Sequence, residues 1–82
     1  MTNLEKYHKV LKNNLGVTEA EMNDEVLAYN RFHRWESVRH IEMVADLEDL
    51  FDVNFGTLDV VSFNTYSKGI EILEKLGIDM SK

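Results

Sequence analysis

Ser37 is the side chain whose setting most invites chemistry. It opens the amphipathic run SVRHIEMVADLEDLF, so it stands at the start of a helix. A hydroxyl there is exposed, and the free N–H groups and dipole of a helix start favour a phosphate. The same position suits plain capping, because a serine oxygen accepts a first-turn N–H. Both readings are open on this residue alone.

Other chemistry fails on spacing. His8, His33 and His40 do not form a metal-ligating pair such as His-x-x-x-His. His8 is expected on a helix surface and His40 as a packed or edge residue one turn in from Ser37. Ser37 and His40 lack the strained elbow of a hydrolase nucleophile. Asp52-x-Asn54-x-Gly56 imitates a calcium loop, but Thr57 stands where glycine is required and Phe63 where the closing glutamate belongs. No glycine-rich phosphate-binding motif occurs. Catalysis is not expected.

These residues need elements to hold them, and the periodicity predicts only helices. The first runs from about Asn3 to Asn14, with Thr2 and Glu5 as a capping box and Gly16 as its stop. Leu4, Tyr7, Leu11 and Leu15 form its apolar face. From Val17 to Glu36 the period breaks. Thr18 and Glu21 fit the cap of one turn, and the rest reads as a long ordered loop packed down by Val26, Leu27, Tyr29, Phe32 and Trp35. The second helix spans Ser37 to Phe51. A turn at Asp52 to Gly56 leads to a short helix, Thr57 to Ser62, offering Leu58, Val60 and Val61. Asn64 or Thr65 caps the last helix, which runs to about Leu76 and ends at Gly77. Tyr66, Ile70, Leu73 and Leu76 form its apolar face, with Gly69 permitting close approach. The expectation is an all-α fold: one domain over residues 1–82, a small four-helix bundle with three long helices, one short helix and a long first loop.

The second helix carries three surfaces. With Val38 at zero and about 100° per residue, Met43, Val44, Leu47, Leu50 and Phe51 fall within about 120–240°. This arc is the expected core face, extended on one side by Ile41. Arg39, Glu42, Asp46 and Asp49 form an acidic stripe away from it. Val38 and Ala45 lie outside the core arc, as an exposed apolar ridge beside the acids. Acids steer a basic partner and a ridge adds desolvation at contact, so this side suits docking.

Composition agrees. The chain has 82 residues, a formal charge of −6 and no cysteine. The charge disfavours nucleic acid and anionic membranes and favours basic proteins. No apolar run approaches the roughly 20 residues that span a bilayer. The first ten residues lack a signal-peptide pattern, so a soluble cytoplasmic monomer is expected.

Residues 35–55, WESVRHIEMVADLEDLFDVNF, resemble the acyl carrier protein family. The family opens a helix with an Asp-Ser-Leu-like tripeptide, here Glu36-Ser37-Val38. An apolar-acid-apolar run follows, here Ile41, Glu42, Met43 and Val44, then Leu47, Glu48, Asp49 and Phe51. Phe63-Asn64-Thr65-Tyr66 resembles the apolar-Thr-Thr-apolar start of the family's last helix. The similarity extends over the chain in element order and size.

The resemblance implies a bundle of acyl-carrier type and a non-catalytic freestanding carrier. Ser37 would receive 4'-phosphopantetheine from coenzyme A through a magnesium-dependent phosphopantetheinyl transferase, with Glu36 as the flanking recognition residue. The arm would bear acyl or aminoacyl thioesters, supplied by a loading ligase or synthase and used by downstream enzymes. Glu42, Glu48 and Asp49 would bind basic partners, Val38 and Ala45 would make apolar contacts around the arm, and Arg39 lies on the same surface. The chain departs from the pattern at Glu36, where the family usually carries Asp, and at Val38, where it carries Leu. Arg31, His33, Arg34, Arg39 and His40 also make the approach to Ser37 basic. An unmodified interaction module of the same shape is the competing expectation.

Overall fold

Thr2 and Glu5 close a reciprocal capping box: the Glu5 N–H donates to Thr2 Oγ1 at 3.1 Å and the Thr2 N–H to Glu5 Oε1 at 2.9 Å. In the computed structural model, which describes all residues from 1 to 82, this box starts α1, Asn3–Leu15. Gly16 ends α1 in the left-handed region at φ 68°, and its N–H returns to Lys12 O. A single 3₁₀ turn, Glu19–Glu21, follows with its own Thr18–Glu21 box. Three further helices are α2, Ser37–Phe51; α3, Thr57–Ser62; and α4, Tyr66–Lys75. The fold is a small helical bundle without strands, as periodicity predicts.

The core is one cluster. Tyr7, Leu11, Leu15, Leu27, Trp35, Met43, Leu47, Phe63 and Leu73 are fully buried. α1 packs on α2. Asn14 Nδ2 also donates to Asp46 Oδ2 at 2.9 Å, fastening these two helices at their surface. The segment before α2 has no helix of its own, yet it is pinned. Ala28 and Thr65 form an isolated antiparallel bridge, with Tyr29 N–H on Asn64 O at 2.8 Å and Tyr66 N–H on Leu27 O at 3.2 Å. Trp35 then drops into the core, where removing a buried tryptophan typically costs about 3–5 kcal/mol. Apolar side chains and backbone pairing thus order a stretch whose propensities alone leave it open.

Several expectations need correction. Leu50 and Ile41, assigned to the core face of α2 and its extension, are 42% and 60% exposed. The buried arc is narrower, centred on His40, Met43, Val44, Leu47 and Phe51. α3 has only six residues. On α3 itself Leu58 and Val61 are exposed, while Asp59 is the buried residue. Asp59 accepts the Gly56 N–H at 3.1 Å and pairs with Lys75 of α4, so its carboxylate is paired and hydrogen-bonded. Ile72 joins Leu73 in the core face of α4. His8 is buried rather than on the surface. Its Nδ1 lies 2.9 Å from Glu19 Oε2 and its Nε2 lies 2.6 Å from Tyr66 Oη, tying α1 to the 3₁₀ turn and to α4.

Candidate functional site

Ser37 is the first residue of α2 but not its cap. Glu36 has that role, with extended backbone at φ −112°, ψ −179°. Its carboxylate accepts the Val38 N–H at 3.3 Å and the Arg39 N–H at 2.9 Å. The glutamate side chain is long enough to fold back from the preceding position, so the serine is relieved of capping. The Ser37 hydroxyl is exposed and has no hydrogen-bond partner within the chain. The same geometry changes the anion argument. Two of the N–H groups that would receive a phosphate at a helix start already serve Glu36.

Apolar surface adjoins the serine. Val38 is 61% exposed, and Ala45 is exposed on the same side of α2. Ile41 completes this ridge at helical spacing, and a shallow groove is lined by Ser37, Val38, Ile41 and Glu42. The helical wheel carried the signal for Ile41: at about 300° it falls beside Ala45 rather than in the core arc. A second opening of about 210 Å³ lies between the long loop, α2 and α3, lined by Tyr29, His40, Val60, Val61 and Phe63. Exposed Leu58 and Val61 extend the apolar surface along α3. Nothing in the spacing of this six-residue helix announces which side faces water.

The charged residues divide by task. Glu42 and Asp49 are exposed, and Glu42 meets Arg39 at 3.4 Å. Surface pairs of this kind are worth little in stability, so both groups remain available to a partner. Glu48 is half-buried and accepts the Phe55 N–H at 2.7 Å, fastening the turn after α2. That turn begins at Asp52, which holds a left-handed conformation at φ 54°. Glu48 therefore has a structural duty that Glu42 and Asp49 do not share.

Ahead of Ser37, the chain forms a tight basic turn. Ala28 O accepts the N–H groups of Arg31 and Phe32, and the Asn30 N–H donates to Trp35 O at 3.1 Å. Asn30 adopts φ 64°, a region asparagine tolerates. Arg31, His33 and Arg34 are exposed on this turn, and neither arginine pairs with a carboxylate. Beneath it, the Trp35 indole N–H donates to His40 Nδ1 at 3.0 Å. His40 is thus a packed core residue, as its position on the wheel predicts. No three His, Asp, Glu or Cys side chains converge as metal ligands would.

The assembled site is an unbonded serine hydroxyl at a helix start, an exposed apolar ridge, two available acids behind it and two unpaired arginines ahead of it. Comparison with protein-family models, with curated proteins and with solved structures gives no match to this chain.

Proposed function

We propose that the protein is a carrier of acyl-carrier type whose Ser37 is esterified by 4'-phosphopantetheine. The observation that carries this reading is the Ser37 hydroxyl: exposed, freed from capping by Glu36, and bordered by the Val38–Ile41 groove. The resemblance of residues 35–55 to the carrier family supports it, and so does the lack of an activating base beside the serine. His40, one turn away, spends both ring nitrogens on Trp35 and Val60. A hydroxyl without a base suits a substrate of another enzyme better than a nucleophile of its own.

The exposed hydroxyl and the apolar groove beside it support attachment of the group. In the transfer, Ser37 Oγ would attack the coenzyme A phosphate that bears the pantetheine. A serine–phosphate bond forms, the phosphoanhydride breaks, and adenosine 3',5'-bisphosphate leaves with the electron pair. The serine proton passes to the transferase. When bound, the arm supplies a thiol that carries acyl or aminoacyl groups as thioesters. Val38, Ile41 and Ala45 offer apolar contact around the attachment point, and Glu42 and Asp49 offer acids to a basic partner.

The test is intact-mass measurement after incubation with a broad-specificity phosphopantetheinyl transferase, magnesium and coenzyme A. One phosphopantetheine is expected on the wild type and none on Ser37→Ala. Unchanged mass with several such transferases defeats the reading. One observation favours a second reading, an unmodified interaction module that uses the same ridge and acids. The Glu36 carboxylate occupies the N–H groups that would otherwise face a phosphate on Ser37. Unmodified protein isolated from its native host would select it.

A further inference from the structure

His40 is one of few buried ionisable residues, and its partners fix its protons. The indole nitrogen of Trp35 can only donate, and it reaches Nδ1 at 3.0 Å. The Val60 carbonyl can only accept, and it lies 2.7 Å from Nε2. Nδ1 therefore holds the lone pair and Nε2 the proton, which makes the ring a neutral Nε2–H tautomer.

Both partners depend on this arrangement. Val60 O lies in the last turn of α3, where carbonyls lack partners within the helix. The Asn64 N–H, which a longer helix would direct to Val60 O, goes to Ser62 O at 2.8 Å instead. The Trp35 side chain is fully buried and its N–H has no other acceptor.

Nothing around the ring compensates a positive charge. From the long loop it meets Tyr29, with centroids 5.2 Å apart, and Trp35 at 6.1 Å; after α3 it meets Phe63 at 5.4 Å. On its own helix the neighbouring charges are Arg39, which pairs with Glu42, and the Glu36 cap just before it, whose carboxylate serves Val38 and Arg39 N–H groups. α3 brings Asp59, which is bound to Gly56 and Lys75. No carboxylate hydrogen-bonds to the imidazole.

We propose that His40 is a proton-gated latch on the segment that presents Glu36 and Ser37. Protonation places an N–H on Nδ1, facing the Trp35 N–H across a gap that held one hydrogen bond. Two donors then meet with no acceptor between them. The imidazolium still serves Val60 O through Nε2, so the contact that fails is the one to Trp35. The indole leaves its seat and loosens the chain that runs through Glu36 into Ser37. The latch works whether or not Ser37 is modified.

Trp35 is the only tryptophan, so its emission reports the latch directly. Acidifying the full chain from about pH 8 to about pH 5 is expected to shift that emission to the red. Amide protection factors, referred to the intrinsic exchange rate at each pH, should fall at residues 30–36 before they do in α1. His40→Gln, which can accept and donate without titrating, should flatten the emission change, while His8→Gln should keep it. Because His40→Gln could fail to fold, the wild type supplies a second measurement. In an NMR titration the Trp35 indole N–H resonance should move with the midpoint of the His40 ring, not those of His8 or His33. A proton on Nδ1 at pH 8, an emission that stays constant to pH 5, or an indole resonance that follows His8 or His33 would each overturn the proposal.

Discussion

Tyr7 and Gly69 occupy the same space: a Cβ added at Gly69 would stand 2.0 Å from Tyr7 Oη and 2.7 Å from Phe63 Cε1. Tyr7 is fully buried and its hydroxyl donates to Tyr66 O at 2.7 Å, so the ring has nowhere to go. α1 and α4 approach this closely only because position 69 has no side chain. Gly69→Ala should gain up to about 1 kcal/mol in helix propensity. Overpacking at two rigid rings should cost about 1–3 kcal/mol and outweigh it. In a domain this size each kcal/mol lost lowers Tm by about 4–8 °C. Adding Tyr7→Phe removes the clashing oxygen, so a double-mutant cycle by thermal unfolding should show strong coupling between the two sites.

Glu36→Ala removes the acceptor of two first-turn N–H groups and should cost about 1 kcal/mol. Glu36→Asp keeps a preferred cap and should cost little. If Ser37 is modified as proposed, Asp at this position should also raise the rate at which a transferase labels it. Thermal unfolding and initial labelling rates measure the two effects separately.

Asp59 and Lys75 set the acid limit of α3. The Lys75 ammonium, aided by the Gly56 N–H, holds the Asp59 carboxyl below its ordinary value. A carboxyl lowered by folding contributes stability that is fully present above its unfolded value, about 3.9, and is lost as pH falls through the folded one. Asp59→Asn should therefore lower stability at neutral pH and flatten the loss below about pH 4. Denaturant midpoints across that range test this.

At the alkaline end, burial holds the Tyr7 hydroxyl well above the usual phenol range, and the nearby Tyr66 and Asp24 act in the same direction. A group raised by folding contributes stability that is present below its unfolded value, about 10, and is lost as pH rises through the folded one. Wild type should lose stability above about pH 10. Tyrosinate absorbance should show at least one tyrosine ionising only with unfolding, and Tyr7→Phe should remove that step.

Much of the candidate site is legible before any tertiary contact. Ser37 at a helix start, the Val38–Ala45 ridge and the Glu42–Asp49 acids follow from spacing on one helix. Glu36 as the cap does not. Serine and glutamate can both reach first-turn N–H groups, and only the path of the chain out of Trp35 decides between them. Glu48 reads as one more exposed acid until the turn after α2 brings the Phe55 N–H against it. Leu50 reads as core at about 120° on the wheel, and only the packing leaves it exposed.

The boundaries of the helices belong to the amino-acid sequence itself. Thr2 with Glu5, Gly16, Asp52 and Thr65 act on groups three or four residues away, so starts and stops are local chemistry. Tertiary structure decided the burial of His8 and Asp59, the exposure of Leu50, Leu58 and Val61, and the partners of every dry polar group. His8 meets Tyr66 from 58 positions away, and His40 meets Val60 from 20. Burial and protonation at such sites depend on what another element lays against them, and that partner is not encoded within reach of the residue.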